Sequence, residues 1–276
     1  MGRHTRYTEK KNLPAGRCTS RGRKAVTEMD VQLIFSPTGG TRAVAEALAP
    51  ADKVVDLCDR NMDFSSVTLT VADTALIAVP SYGGRVPRTA AERLARVRGN
   101  GARAVLVCVY GNRAYEDTLA ELADLAEAAG FRMVAAVAAL AEHSIARTCA
   151  AGRPDEADRA ELAVFGQRIQ EKLAAGNCAA PALPGHRPYK PLGVRSMVPQ
   201  TSKRCVDCGA CAAACPVGAI DAADPRRTDA ESCIGCMRCV SLCPAEARTI
   251  DPAALAALSQ KLAPLCAGRK KNELFL

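Results

Sequence analysis

Tryptophan is absent from the 276 residues, and only five tyrosines and five phenylalanines occur. The interior must therefore be built from aliphatic side chains, and with 49% apolar residues there are enough of them for a full core. No apolar run approaches the roughly 18 residues that a membrane-spanning helix requires; the best is 133–141. No membrane span is expected. Two nucleotide signatures are also missing, namely G-x-G-x-x-G and G-x-x-x-x-G-K-[ST]. Their absence disfavours a nicotinamide dinucleotide site and a triphosphate-binding loop. No cleavable leader is visible, so the fourteen cysteines are not read as the disulfide framework of a secreted protein. The expected compartment is a reducing cytoplasm.

The net charge of +8 is unevenly spread. Residues 1–28 hold eight basic side chains against Glu9 and Glu28, which is six of the eight net positive charges. A uniformly basic nucleic-acid-binding surface is therefore not indicated, and no nucleic-acid partner is expected. Such a leader can act as a flexible arm or a transit-like segment, or can reflect a reading frame extended upstream of Met29. Its composition predicts a disordered leader without a function of its own.

Eight cysteines stand in two matching groups. Cys205, Cys208, Cys211 and Cys215 read C-x2-C-x2-C-x3-C before Pro216, and Cys233, Cys236, Cys239 and Cys243 repeat the spacing before Pro244. Three thiolates two residues apart wrap one face of a small cluster, and the fourth is carried across to the other cluster. One 4Fe–4S cluster is thus expected on Cys205, Cys208, Cys211 and Cys243, and a second on Cys233, Cys236, Cys239 and Cys215. Zinc knuckles also use Cys-x2-Cys pairs, but they give no reason for a third cysteine or for the repeated Cys-Pro. At these residues the chain resembles the bacterial two-cluster ferredoxins over about 200–250, which implies a small α+β domain.

Upstream, short apolar runs alternate with amphipathic stretches. Strands are predicted at 31–35, 53–57, 75–79, 103–110 and within 131–140, and helices at 41–48, 89–97, 115–129 and 155–175. Continuous apolar strands separated by helices indicate an α/β domain, a doubly wound five-stranded parallel sheet covered on both faces. Sheets of this kind bind ligands at the carboxyl ends of their strands, where the strand order reverses.

Three loops occupy those ends. The first is Ser36-Pro37-Thr38-Gly39-Gly40-Thr41, whose glycines, hydroxyls and helix-start amides suit a phosphate. The second is Pro80-Ser81-Tyr82-Gly83-Gly84-Arg85-Val86-Pro87, and the third runs from Tyr110-Gly111-Asn112-Arg113 through Tyr115 to Asp117. Each of these two sets an aromatic and glycine just after a buried strand, an arrangement that can hold a flat ring.

With these loops in place, residues 31–175 resemble a flavodoxin. Together with the cysteine motifs, the chain resembles the family of flavodoxin–ferredoxin fusion proteins over roughly 31–250. The resemblance implies FMN and two 4Fe–4S clusters as cofactors. It places Ser36, Thr38, Gly39, Gly40 and Thr41 at the FMN phosphate. It places Pro80, Ser81, Tyr82, Gly83, Gly84, Tyr110, Gly111, Asn112, Arg113 and Tyr115 around the ring. Pro37 departs from the family by removing one amide that could face the phosphate.

The expected organisation is a leader at 1–28, an FMN-binding domain at 29–176, a Pro/Gly-rich linker at 177–200, a dicluster domain at 201–251 and a C-terminal helix and tail at 252–276. The linker's prolines suggest a semi-extended strap, and 268–276 reads as a frayed end. His143 and Arg113 are candidates for chemistry at the flavin, although His143 also fits a structural role. Cys18, Cys58, Cys108, Cys149, Cys178 and Cys266 show no ligand spacing. The expected function is an electron-transfer iron–sulfur flavoprotein, with a ferredoxin or a reductase as redox partner. The alternative is an FMN-dependent reductase of a small organic acceptor, fed by the clusters.

Overall fold

The structure is a computed structural model that describes residues 29–193 and 197–276; the basic leader lies outside the described residues. The chain begins with strand β1 (Met29–Ile34), helix α1 (Gly40–Leu48) and strand β2 (Ala51–Asp56). Strand β3 (Thr74–Pro80), helix α2 (Arg88–Leu94), strand β4 (Arg103–Tyr110) and helix α3 (Thr118–Ala128) follow. Strand β5 (Arg132–Leu140) and helix α4 (Glu156–Ala174) complete the alternation. The four strand pairs are parallel and lie in the order β2-β1-β3-β4-β5. This is the flavodoxin-like order, in which the chain reverses direction between β1 and β3.

The three central strands are apolar along nearly their whole length because both faces are covered. One face packs Leu94 of α2 and Leu119 and Leu122 of α3 onto Leu33, Ile77 and Leu106. The other packs Val44 and Leu48 of α1 and Leu162 and Ile169 of α4 onto Ile34, Leu76 and Val107. Gln32 is the exception on β1, buried at 1% exposure. Its amide donates to the Ala49 carbonyl at 2.6 Å, which satisfies a group left over at the end of α1. α4 opens with a capping box between Asp155 and Asp158.

After the strap come β6 (Gln200–Thr201), α5 (Ala210–Ala214), α6 (Arg238–Leu242) and β7 (Arg248–Thr249), with β6 and β7 paired antiparallel. The two cysteine groups use the same backbone. Positive φ recurs at Asp207 and Gly235, at Gly209 and Met237, and at Gly218 and Glu246, which are equivalent positions of the repeat. Each group thus turns tightly between its ligands and runs into a five-residue helix.

The C-terminus departs from the expected frayed end. Helix α7 (Pro252–Leu262) leads to strand β8 (Glu273–Phe275), which adds antiparallel to β5 as a sixth strand. Asn272 accepts from the Leu140 amide at 3.0 Å and donates to Glu161 at 2.6 Å. Arg269 pairs with Asp155 at 2.6 Å, and Arg153, buried against Asp158, donates to the Lys270 carbonyl at 2.9 Å. The tail covers a sheet edge that would otherwise stay open.

α4 packs closely on α1 at Gly166, where a Cβ would lie 2.0 Å from the Leu48 carbonyl oxygen. Gly166→Ala must push α4 away from α1, and it is expected to lower unfolding stability by about 1–3 kcal/mol. A shift in the urea midpoint at unchanged slope is the measurement.

Candidate functional site

The three loops after β1, β3 and β4 meet at one cavity of about 520 Å³, within the size range of cofactor sites. The loop after β1 turns at Gly39, whose φ of 92° is open to glycine, and enters α1. Ser36 uses its hydroxyl to accept the Arg42 amide at 3.0 Å, which closes the loop on the start of the helix. Ser36, Pro37, Thr38, Gly40 and Thr41 all line the cavity.

The loop after β3 is a tight hairpin turn. Gly83 and Gly84 have φ of 63° and 87°, and Tyr82 and Arg85 exchange backbone hydrogen bonds at 2.9 and 3.3 Å. Pro80, Ser81, Tyr82 and Gly83 line the cavity. Burial drives the Tyr82 hydroxyl well above the ordinary phenol range, and the neighbouring Cys236 and Cys58 thiols act in the same direction. From the third loop, Tyr110, Gly111 and Arg113 line the cavity, and Arg113 also pairs with Glu116 at 2.9 Å.

Not every expected residue is there. Gly39, Gly84, Asn112 and Tyr115 are not part of the lining. Asn112 is buried at φ 65° and donates to the carbonyls of Cys266 (2.6 Å) and Gly268 (2.9 Å), so its amide secures the C-terminal tail instead of facing the cavity. Tyr115 packs edge-on to Tyr110 and donates to Glu273 at 3.1 Å. Gly84 is crowded by Glu116, which a Cβ would meet at 1.8 Å. Arg85 does not face the cavity either; it pairs with Glu121 at 2.8 Å and donates to the Lys190 carbonyl.

His143 does line the cavity. Its Nδ1 accepts from the amides of Ile145 (3.1 Å) and Ala146 (3.0 Å). Burial, with Arg113 nearby, lowers its pKa and favours the neutral ring. The single proton then sits on Nε2, which leaves a hydrogen-bond donor for a bound ligand.

Sequence reasoning missed the far wall of the cavity. Leu192, Gly193 and Met197 of the strap, Ile234 and Gly235 of the dicluster segment, and Leu258 and Leu262 of α7 close it. The strap is held by Asp117, which accepts the amides of His186 (2.8 Å) and Lys190 (2.7 Å) and whose pKa is lowered to about 2 by those bonds. Ile234 and Gly235 lie between Cys233 and Cys236, so one cysteine group forms part of the cavity wall.

Two arginines of the α/β domain grip the end of the first cysteine group, at Cys215. Arg60 donates to the carbonyls of Ala212 (2.8 Å) and Cys215 (3.1 Å). Arg93 of α2 bridges the carbonyls of Leu57 and Pro216, with its guanidinium 5.5 Å from the Phe64 ring centre. Burial lowers the Arg93 pKa, the cost of placing a cation in this contact.

The cysteines form two sets. Cys205, Cys208, Cys211 and Cys243 surround one small cavity. Cys215, Cys233, Cys236 and Cys239 influence one another electrostatically, and burial pushes the Cys236 and Cys239 thiols up to about 11 and about 12. Among the described residues, no three His, Cys, Asp or Glu side chains converge closely enough to hold a single metal ion. Thiols spaced around a cavity instead suit a multinuclear iron–sulfur cluster.

Residues 204–247 match the family described as a 4Fe-4S dicluster domain. No curated protein matches the chain. Among solved structures, it is similar to rubredoxin oxygen:oxidoreductase from the anaerobe Desulfovibrio gigas, with 14% identity, a TM-score of 0.36, and coverage of 55% of this chain and 37% of that one. It is also similar to the flavodoxin of Streptococcus pneumoniae TIGR4, with 19% identity, a TM-score of 0.35, and coverage of 54% and 97%. A third is the NAD(P)H:quinone oxidoreductase of Methanothermobacter marburgensis, with 16% identity, a TM-score of 0.28, and coverage of 53% and 98%. The class of the α/β domain rests on its own strand order, 2-1-3-4-5. The chain thus carries a flavodoxin-like α/β domain and, at 204–247, a segment that matches a 4Fe-4S dicluster domain. Among the described residues, no helix is long and apolar enough to cross a membrane.

Asn112→Ala removes both side-chain bonds to the tail. Hydrogen exchange at 263–276 is expected to accelerate, with a loss of about 1–3 kcal/mol in local protection. Unchanged exchange there would show that the tail is held without Asn112.

Proposed function

We propose that this chain is an electron-transfer iron–sulfur flavoprotein that binds FMN in the 520 Å³ cavity and relays electrons between the flavin and two 4Fe–4S clusters. The observation that carries this reading is the shared wall. Ile234 and Gly235 line the cavity from within the Cys233–Cys236 turn, and Tyr82 lies within electrostatic reach of Cys236. A cluster on Cys215, Cys233, Cys236 and Cys239 would be the inner one, beside the flavin. A cluster on Cys205, Cys208, Cys211 and Cys243 would be the outer one, where Cys208 is exposed and Val206 is 68% exposed. That face suits the approach of a redox partner protein.

The residues fit the groups they would hold. The loop of Ser36, Thr38, Gly40 and Thr41 offers hydroxyls and helix-start amides to a phosphate. Tyr82, Tyr110 and Gly111 flank a slot for a planar ring, and Arg113 brings a cation to it. When bound, FMN supplies two-electron chemistry with single-electron release, and each cluster supplies one-electron storage. The protein fixes their separation through Arg60 and Arg93, which hold the Cys215 loop on the α/β domain.

Arg113 and the free donor of His143 favour a second reading, reduction of a small acceptor at the flavin. The wall made by Ile234, Leu258 and Leu262 narrows the access such an acceptor would need.

Anaerobically purified protein is expected to hold one FMN and about eight irons per chain. Cys236→Ser should lose close to half of the iron and keep the flavin. Flavin reduction by a reduced ferredoxin should then slow by at least an order of magnitude. Equal rates in both proteins would contradict the relay, and turnover of a small acceptor would favour the reductase.

A further inference from the structure

The two halves of the dicluster segment align residue by residue, and one buried position breaks the match. Cys215-Pro216-Val217-Gly218-Ala219-Ile220 corresponds to Cys243-Pro244-Ala245-Glu246-Ala247-Arg248. The backbones agree. Gly218 and Glu246 have φ of 67° and 48°, and the fourth-cysteine sulfur accepts an amide four residues on in each half, from Ala219 at 3.3 Å and Ala247 at 3.2 Å. At the last position Ile220, 5% exposed, packs with Cys211, Cys215 and Ala219. Its counterpart is a guanidinium, also buried, at 2% exposure.

The surroundings of Arg248 do not neutralise it. Nη1 donates to the Thr228 hydroxyl at 2.5 Å, and Nη2 donates to the Cys211 sulfur at 3.6 Å and to the Pro225 carbonyl. These acceptors are a hydroxyl, a thiol and a carbonyl, with no carboxylate. Among the described residues, Nε is buried with no partner. Arginine keeps its charge at any ordinary pH, and a buried charge without a counter-ion is costly. Arg248 also lines the cavity ringed by Cys205, Cys208, Cys211 and Cys243. A cluster held by four thiolates is an anion, and one bound there would supply the missing counter-charge.

We propose that Arg248 raises the reduction potential of the outer cluster above that of the inner one, so that the outer cluster is the first of the two to accept an electron. The assignment rests on the reading that both cysteine sets hold 4Fe–4S clusters. Reduction adds one negative charge to the cluster, and a cation in hydrogen-bond contact with a ligand sulfur stabilises the reduced form more than the oxidised one. Charge and hydrogen bonds to sulfur are among the terms that set such potentials. Ile220 offers neither. An electron shared by the pair would then rest on the cluster beside exposed Cys208, where a partner can reach it.

The test is an anaerobic titration of the full-length holoprotein with dithionite and mediators, followed by EPR. Iron and sulfide are analysed first, and Cys208→Ser assigns the outer cluster's signal. In the unaltered protein the outer cluster should be reduced first. Arg248→Ile installs the residue of the matching half; it should lower the outer cluster's equilibrium constant for reduction at least tenfold, about 59 mV for one electron. The two transitions should then converge, and Arg248→Lys should fall between. Should Arg248→Ile fail to hold iron, Arg248→Gln, which removes the charge and keeps a donor, carries the same expectation. A variant with full iron content and an unchanged outer potential would overturn the proposal. Unaltered protein that holds no clusters would instead overturn the functional reading beneath it.

Discussion

The arrangement depends on one contact, the seating of the Cys215 loop and the Cys233–Cys236 turn on the mouth of the flavodoxin-like cavity. Arg60 and Arg93 make it by donating to backbone carbonyls at Ala212, Cys215 and Pro216. Carbonyls at the end of a short helix are good acceptors because they no longer receive the regular i→i+4 helical hydrogen bond. The contact therefore uses groups that the cluster-binding turn must expose anyway. Ile234 and Gly235, inside the Cys233–Cys236 turn, line the cavity together with Tyr82 and with Leu192 and Gly193 of the strap.

Around that contact, several elements hold the cavity closed from different directions. Asp117 ties down the strap through two backbone amides, and its lowered pKa keeps it ionised at neutral pH. Asn112 holds the tail, and β8 anchors the end of the chain to β5. The third loop after β4 thus has a divided role. Gly111 and Arg113 face the cavity, while Asn112 and Tyr115 on the same loop face the C-terminus.

How far the sequence can be read differs from one part to another for physical reasons. The central strands were legible because burial on both faces leaves unbroken apolar runs, and the iron–sulfur segment was legible because its cysteine spacing repeats as a unit. β8 was not, since Glu273–Phe275 is too short to show a period and becomes a strand only beside the open edge of β5. Asn112 was misplaced because a polar residue after a strand looks the same whether it meets a ligand or a carbonyl 154 residues away. Ile234 carried no signal of its own, because a small apolar residue between two cysteines fits any cluster loop. Only the docking of the two domains gives it a place in the cavity wall.

The measurement that bears most directly on this account is an anaerobic redox titration of the as-isolated protein, with visible absorbance and EPR followed together. The account predicts a flavin transition together with two cluster signals broadened by mutual interaction. Clusters that titrate in protein free of flavin would contradict it, and would mean that the cavity beneath Ile234 serves another ligand.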